Sequence, residues 1–112
     1  MSEIEQLQKE CEKAISLKDF GKAILLYEKL FSLTGDYNNK LCIANIHYRI
    51  FKNLPKATAI FREIEPNLSD NINFWWQYHE ILRVNNKVFE ATECVRKALD
   101  LELQTLAGGA DA

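Results

Sequence analysis

The chain has 112 residues, the length of one ordinary globular domain, and is long enough to bury a hydrophobic core. Its 47% of hydrophobic residues excludes a mostly disordered chain, and only four glycines and two prolines interrupt it, which favours helices. The formal charge of −2 comes from 14 basic residues scattered among 16 acidic ones, so nucleic acid is not an expected partner.

The first residues carry neither the basic segment nor the apolar run of a secretory signal. No apolar stretch approaches the roughly 20 residues of a membrane-spanning helix, so we expect a cytoplasmic protein with no membrane span. The cysteines Cys11, Cys42 and Cys94 are far apart and form no C-x-x-C pair. This spacing indicates neither a disulfide framework nor a metal site, and we expect no cofactor.

The first predicted unit is a pair of antiparallel helices. Ser2 and Glu5 fit a capping box, and apolar residues then recur at spacings of three and four, which is typical of an amphipathic helix. After a short break, the same period predicts a second helix from Lys22 to about Leu33. Gly35 can end this helix in a left-handed conformation. A tight turn between the two helices makes them antiparallel.

The second unit follows the same plan. A helix is predicted from near Tyr37, and Pro55 is expected in the first turn of the next helix, where its missing N–H costs little. Pro66 closes that helix early.

The third unit opens at residues 69–71, which are rich in helix-capping side chains. Its second helix is predicted from about Val88 to Leu106. Residues 107–112 are expected to form a flexible tail.

Three sets of positions repeat every 34 residues. Small residues form the first set, in the second helix of each unit: Ala23, Ala57 and Ala91 (57−23 and 91−57 both equal 34). Bulky residues form the other two sets, at the first helices and at the turns: Leu7, Leu41 and Trp75, then Phe20, Leu54 and Val88. A shared period in independent markers predicts three copies of one helical unit.

The chain here resembles the tetratricopeptide repeat (TPR) family of helix–turn–helix units, over about residues 3–104. The family signature puts a bulky residue, often Trp, early in the first helix, a small residue at the start of the second, and a large one four positions later. Trp75, Ala91 and Val95 match this signature in the third unit. The three degenerate repeats lie at about 4–35, 38–68 and 70–104.

The resemblance implies an all-α fold, an α-solenoid of three helix–turn–helix repeats in a right-handed superhelix. It also implies a single domain over residues 1–106. An unrelated six-helix bundle is the structural alternative.

The predicted helix at 39–51 has a second apolar face, turned away from its core-facing side. In TPR proteins this face of each first helix lines a concave groove, so the resemblance places several isoleucines on a ligand surface. Together with the matching face of the fifth helix, the expected partner-binding residues are Cys42, Ile43, Ile46, Arg49, Ile50, Trp76, Glu80 and Arg83. Such a groove suits an apolar helix or segment of another protein. The alternative is that this helix is buried on both sides.

Two further observations bear on the groove. Neighbouring residues on a helix point about 100° apart, so Trp75 and Trp76 cannot share one core site, and one of them is expected at an edge or groove. Some TPR domains grip acidic C-terminal tails with a carboxylate clamp of cationic residues. The corresponding positions here carry no cation, so a clamp is not expected: Gln8, Glu12, Ile43, Asn73 and Gln77.

The last predicted helix carries more apolar surface than one neighbouring helix can cover. Residues that widen its apolar stripe are the expected oligomer contacts: Phe89, Cys94 and Leu101. Solenoids commonly end in a polar capping helix, and only a Gly-Gly tail follows this one. A homo-oligomer or hetero-oligomer contact is favoured, and the alternative is that the tail covers the surface.

Catalytic motifs are not found in the sequence. It has two histidines, His47 and His79, and no H-E-x-x-H, nucleophile elbow or phosphate-binding loop, so we expect no enzyme. The expected function is a protein–protein interaction module, an adaptor or chaperone, and the chain more loosely resembles the small TPR chaperones of type III secretion. A structural assembly subunit using the last helix is the alternative. An enzyme using His79 and a cysteine is a third possibility.

Overall fold

The structure is a computed structural model that describes residues 2–110, without the side chains of 108–110. Every regular element in this part of the chain is helical, which confirms the all-α class. The α-helices are α1 (Glu3–Ser16), α2 (Phe20–Thr34), α3 (Asn38–Arg49), α4 (Leu54–Ile64), α5 (Ile72–Val84) and α6 (Val88–Ala110), and a 3₁₀ helix spans Glu65–Asn67.

Local sequence signals set the helix ends. The hydroxyl of Ser2 accepts a hydrogen bond from the N–H of Glu5 at 3.1 Å, so the predicted N-cap of α1 is confirmed. Gly35 ends α2 with φ 68°, in the left-handed region that favours glycine. Pro55 lies in the first turn of α4, and Pro66 lies in the 3₁₀ helix that follows it.

Two helix ends differ from the sequence-based boundaries. Helix α2 begins two residues earlier than expected, because the carboxylate of Asp19 accepts from the N–H of Lys22 at 3.3 Å and caps the helix. Helix α6 continues past Leu106 to Ala110. The predicted tail at 107–112 is therefore helical where it is described, and its last two residues lie outside the described part.

The turns between paired helices carry the 34-residue period in their backbone. Among the described non-glycine residues, positive φ occurs at Lys18 (58°), Lys52 (55°) and Asn86 (62°). These positions are 34 apart in each step (52−18 and 86−52). Because this conformation is costly for side chains other than glycine, its recurrence shows that the three turns are built alike.

Hydrogen bonds after these turns repeat as well. The carbonyls of Asp19, Asn53 and Lys87 accept from the N–H groups of the three repeated alanines at 3.0, 3.1 and 2.9 Å. Asp19 and Asn53 also cap their helices through their side chains. Lys87 has no acceptor oxygen in its side chain, so α6 begins without this kind of cap.

The structure divides the chain into two compact units, which differ from the three repeats of the sequence. The first unit contains α1 to α4, the second unit contains α5 and α6, and the boundary lies between Ile64 and Glu65. In the first unit α1 packs against α2, α2 against α3, and α3 against α4. One core cluster joins Leu7, Cys11 and Leu30, with Leu26 and Tyr27 packed against it.

The second core cluster of this unit is built on small side chains. Ala14, Ala23 and Ile46 are buried together, so α1 and α2 each present an alanine to the isoleucine of α3. Partly buried apolar residues surround the cluster: Ile15, Phe20, Ile24, Leu26 and Tyr27.

The second unit has an aromatic core on α5, which packs against α6. The ring of Phe74 meets Trp75 edge-to-face at 5.0 Å and Tyr78 at 5.5 Å between centroids. The indole of Trp75 donates to the carbonyl of Ser69 at 2.8 Å, which satisfies its buried N–H. The ammonium of Lys97 lies 4.4 Å from the centroid of a Trp75 ring.

Candidate interaction surfaces

The isoleucines predicted to line a groove on α3 are mostly core residues. Ile43 and Ile46 are only 3% and 7% exposed. Ile46 is buried with Ala14 and Ala23, so its side chain joins α3 to α1 and α2. The exposure expected for these two residues is therefore not found, and the alternative of burial on both sides describes them better.

Cys42 is half-buried, and its thiol is engaged with Tyr27. Burial raises the pKa of the Cys42 thiol, and its hydrogen bond with Tyr27 offsets part of the rise. Burial, together with the nearby Cys42 and Cys11, raises the pKa of Tyr27 to about 12. Cys42 therefore has a packing partner inside the first unit.

The surface that remains on α3 is small. Ile50, just past the end of the helix, is 43% exposed, and Arg49 is exposed with its guanidinium 5.7 Å from the ring centroid of Tyr48. Of the five binding residues predicted on this segment, only Arg49 and Ile50 are therefore exposed.

The other three predicted binding residues lie in the second unit, on α5. Trp76 is 36% exposed and Trp75 is buried, which confirms that the two indoles occupy different sites. The indole N–H of Trp76 donates to Oε1 of Glu102 at 3.0 Å. Arg83 is exposed and Glu80 is half-buried. Trp76 is therefore accessible and held in place by α6.

Of the three predicted oligomer contacts on α6, Phe89 is 79% exposed and Leu101 is half-buried. Cys94 is buried, so it cannot contact a partner directly. Burial raises the pKa of its thiol to about 11. Cys94 belongs with Ala91 and Ala98, whose spacing of three and four residues forms the buried side of the helix.

A different set of apolar residues lies along one largely exposed face of α6, which also contains Thr92. At 100° per residue, its members fall within about 80° of arc around the helix axis. We call this set the α6 stripe: Val88, Val95, Leu99, Leu103 and Leu106. Val95 is half-buried, and the three leucines are 46%, 62% and 69% exposed in chain order.

Charged residues flank one side of the α6 stripe. The guanidinium of Arg96 binds Glu93 at 2.7 Å and Asp100 at 3.3 Å. The hydrogen bond from Arg96 lowers the pKa of Glu93. This flank is therefore a short network of opposite charges, and the stripe itself contains no charge.

The α6 stripe corresponds to a covered face of α2. Two repeats separate Val88, Val95 and Leu99 from Phe20, Tyr27 and Phe31 (88−20, 95−27 and 99−31 all equal 68). The three α2 residues are half-buried, and α3 packs on α2. The ring of Phe31 meets Tyr37 edge-to-face at 4.9 Å. Val88 and Leu99 are thus exposed on α6 at positions whose counterparts on α2 are half-buried.

The sequence-based prediction of oligomer contacts did not include Leu99, Leu103 or Leu106. It chose residues that widened the stripe on either side, because it could not tell which arc of α6 faces α5. The 68-residue correspondence with α2 is the signal that identifies the open arc.

His79 is half-buried and Cys94 is buried in the second unit. Nδ1 of His79 lies 3.3 Å from the carbonyl of Ala91, which accepts its hydrogen bond. Burial raises the pKa of the Cys94 thiol, which disfavours the nucleophilic thiolate. Among residues 2–110, no three or more His, Cys, Asp or Glu side chains are grouped so that they could hold a metal ion.

None of the helices in the described residues is both long and apolar enough to span a membrane. No protein-family model and no well-characterised protein sequence matches the chain. The likeness to TPR proteins therefore depends on the repeat within this chain.

Proposed function

We propose that the chain is a protein–protein interaction module, an adaptor or assembly subunit, whose contact surface is the α6 stripe. The observation that carries this proposal is the exposure of three leucines on one face of one helix. Scattered apolar residues are normal on a protein surface, but a contiguous face usually marks a contact. The covered equivalent on α2 supports the same conclusion.

The architecture that fits this function is a TPR-like solenoid of three repeats. Its support is the 34-residue period, which appears in core alanines, in turn hydrogen bonds and in three left-handed backbone positions. In a solenoid each repeat covers a face of its neighbour. The exposed leucines of α6 are the kind of face that such a contact covers.

A second candidate is a chaperone-like module that holds an apolar segment of another protein against α5. The exposure of Trp76 favours it, because large aromatic side chains are frequent anchors at interfaces. The loss of Ile43 and Ile46 to the core removes most of the apolar surface on which this candidate depended. We therefore place the principal contact on α6.

The proposal can be tested by affinity capture from cells that produce the protein, followed by mass spectrometry. Leu103→Glu places a charge in the α6 stripe, and Leu25→Glu is a matched control on α2, where Leu25 is 67% exposed. We expect specific co-purifying chains, either other proteins or differently tagged copies of this one, to be lost with Leu103→Glu and kept with Leu25→Glu.

Equal capture by the two variants, with circular dichroism showing both folded, would contradict a contact through α6. Trp76→Ala separates the second candidate, because it leaves the α6 stripe intact. Loss of the co-purifying chains with Trp76→Ala alone would assign the contact to α5.

A further inference from the structure

We infer that the first unit is acid-sensitive, because protonation of His47 loosens the packing of α3 against its neighbours. This inference concerns a different part of the chain from the α6 stripe, so it goes beyond the proposed function and does not depend on it. It is carried by a buried nitrogen without a hydrogen-bond partner, by the repeat position of His47 and by the groups around its ring.

The imidazole of His47 has one nitrogen enclosed in the first unit. The residue as a whole is half-buried, but among the described residues its Nδ1 is a buried side-chain atom with no hydrogen-bond partner. A neutral imidazole can keep its proton on the other ring nitrogen, which leaves only a lone pair at Nδ1. An imidazolium carries a proton on both nitrogens, so Nδ1 becomes a buried donor without an acceptor. The folded unit therefore disfavours the charged form.

The repeat shows what else the chain places at this position. The residue 34 positions later is Ile81 on α5, which is 1% exposed (81−47 equals 34). The residue 34 positions earlier is Lys13 on α1, which is exposed (47−13 equals 34). The position thus holds a buried apolar side chain in one repeat and an exposed cation in another. Histidine changes from a neutral to a cationic side chain within the physiological range of pH, so His47 can change between these two environments.

The groups that act on the ring come from both helices that pack on α3. Helix α4 contributes Lys56, whose positive charge opposes a second cation, and α2 contributes Glu28, whose carboxylate attracts one less strongly. The ring of Phe51, just past the end of α3, lies 5.8 Å from the imidazole between centroids. Burial and Lys56 together outweigh Glu28 and lower the pKa of His47 below 6.5.

A lowered pKa links the stability of the first unit to pH. The unfolded chain binds the proton more readily than the folded one, so the free energy of unfolding is highest above about pH 6.5 and falls as the pH decreases through the folded pKa. The charged ring gains hydration when it leaves its site. The backbone carbonyl of His47 also accepts from the N–H of Asn53 at 2.8 Å, which ties the end of α3 to the turn before α4. We expect the loosening at this turn.

An NMR titration of the full chain tests the first step. The ring proton resonances of His47, assigned with the help of His47→Gln, should report a pKa below 6.5 in the native chain. In urea the value should return to about 6.5. A His47 pKa at or above 6.5 in the folded chain would overturn the inference.

Substitutions separate titration from packing. His47→Ile supplies the side chain found at the equivalent position of α5, and His47→Gln keeps a polar side chain that does not titrate. In urea unfolding followed by circular dichroism, the native chain should lose more free energy of unfolding between about pH 7.5 and about pH 5 than either variant. Lys56→Gln leaves His47 in place and should reduce the loss, because it removes the charge that opposes the imidazolium. Equal losses in the native chain and in all folded variants would refute the role of His47.

Hydrogen exchange with mass spectrometry locates the change. After correction for the intrinsic effect of pH, amides of α3 and of residues 50–53 should exchange faster at about pH 5 than at about pH 7.5 in the native chain, and His47→Gln should lack this difference. Acid-induced exchange that appears only in the second unit would contradict a change at α3.

Discussion

Replacing Ile46 by alanine should destabilise the first unit strongly, whereas the same change at Ile50 should not. Ile46 is 7% exposed and packs with Ala14 and Ala23, two side chains that are too small to fill the space left behind. Buried Ile→Ala substitutions cost about 2–5 kcal/mol, and the poor prospects for collapse here favour about 3 kcal/mol or more. Ile50 is 43% exposed, so we expect Ile50→Ala to cost less than about 1 kcal/mol.

The assay is urea unfolding followed by far-ultraviolet circular dichroism, which reports on helices of both units. Tryptophan fluorescence is a useful second signal, because both tryptophans lie on α5 in the second unit. The free energy of unfolding should fall in the dichroism transition of Ile46→Ala and remain near the native value for Ile50→Ala. Similar small losses for the two variants would mean that Ile46 is a surface residue and would return it to the candidate groove.

Three further predictions concern the turns and the thiols. Lys52→Gly should raise the free energy of unfolding by about 0.5–1 kcal/mol, because φ at this position is 55°, and Lys52→Val should lower it. Thermal melts should show a higher midpoint for the glycine variant and a lower midpoint for the valine variant. Lys87→Asp should stabilise α6 by about 1 kcal/mol, because Asp19 and Asn53 already cap their helices at the equivalent positions. Urea unfolding followed by tryptophan fluorescence measures this gain, and an unchanged free energy of unfolding would mean that the cap does not form. Burial raises the pKa of the Cys94 thiol from 9.0 to about 11. The thiol's contribution to the free energy of unfolding is therefore complete below about pH 9 and is lost as the pH rises through about 11. Cys94→Ala should flatten that part of the pH profile measured by urea unfolding.

Helix ends were predictable from the sequence because each depends on a few neighbouring residues. Ser2 and Gly35 each act within one turn of their own position, and the structure confirms both. The repeated alanines were predictable for a similar reason, since a small residue at a fixed period predicts close packing wherever helices pair. Ala23, Ala57 and Ala91 are all buried.

The side on which a helix meets its neighbours was not predictable in the same way. Helix α3 is apolar on two faces, and this pattern is common to a groove-lining helix and to one buried between neighbours. The burial of Ile46 depends on α1 and α2, which are distant in sequence. The left-handed backbone at Lys18 and Lys52 was also not indicated, because lysine has no preference for it.

The repeat itself provides the comparison that single-helix patterns lack. Helix α3 packs on α2, and the face of α2 that carries Phe20, Tyr27 and Phe31 is half-buried. Applied 68 residues later, the same register identifies a face of α6 on which Val88 and Leu99 are 68% and 46% exposed. Helix α1 differs from α3 at equivalent positions, because Gln8 and Glu12 are polar where α3 has Cys42 and Ile46. The proposed contact therefore depends on the exposed leucines of α6.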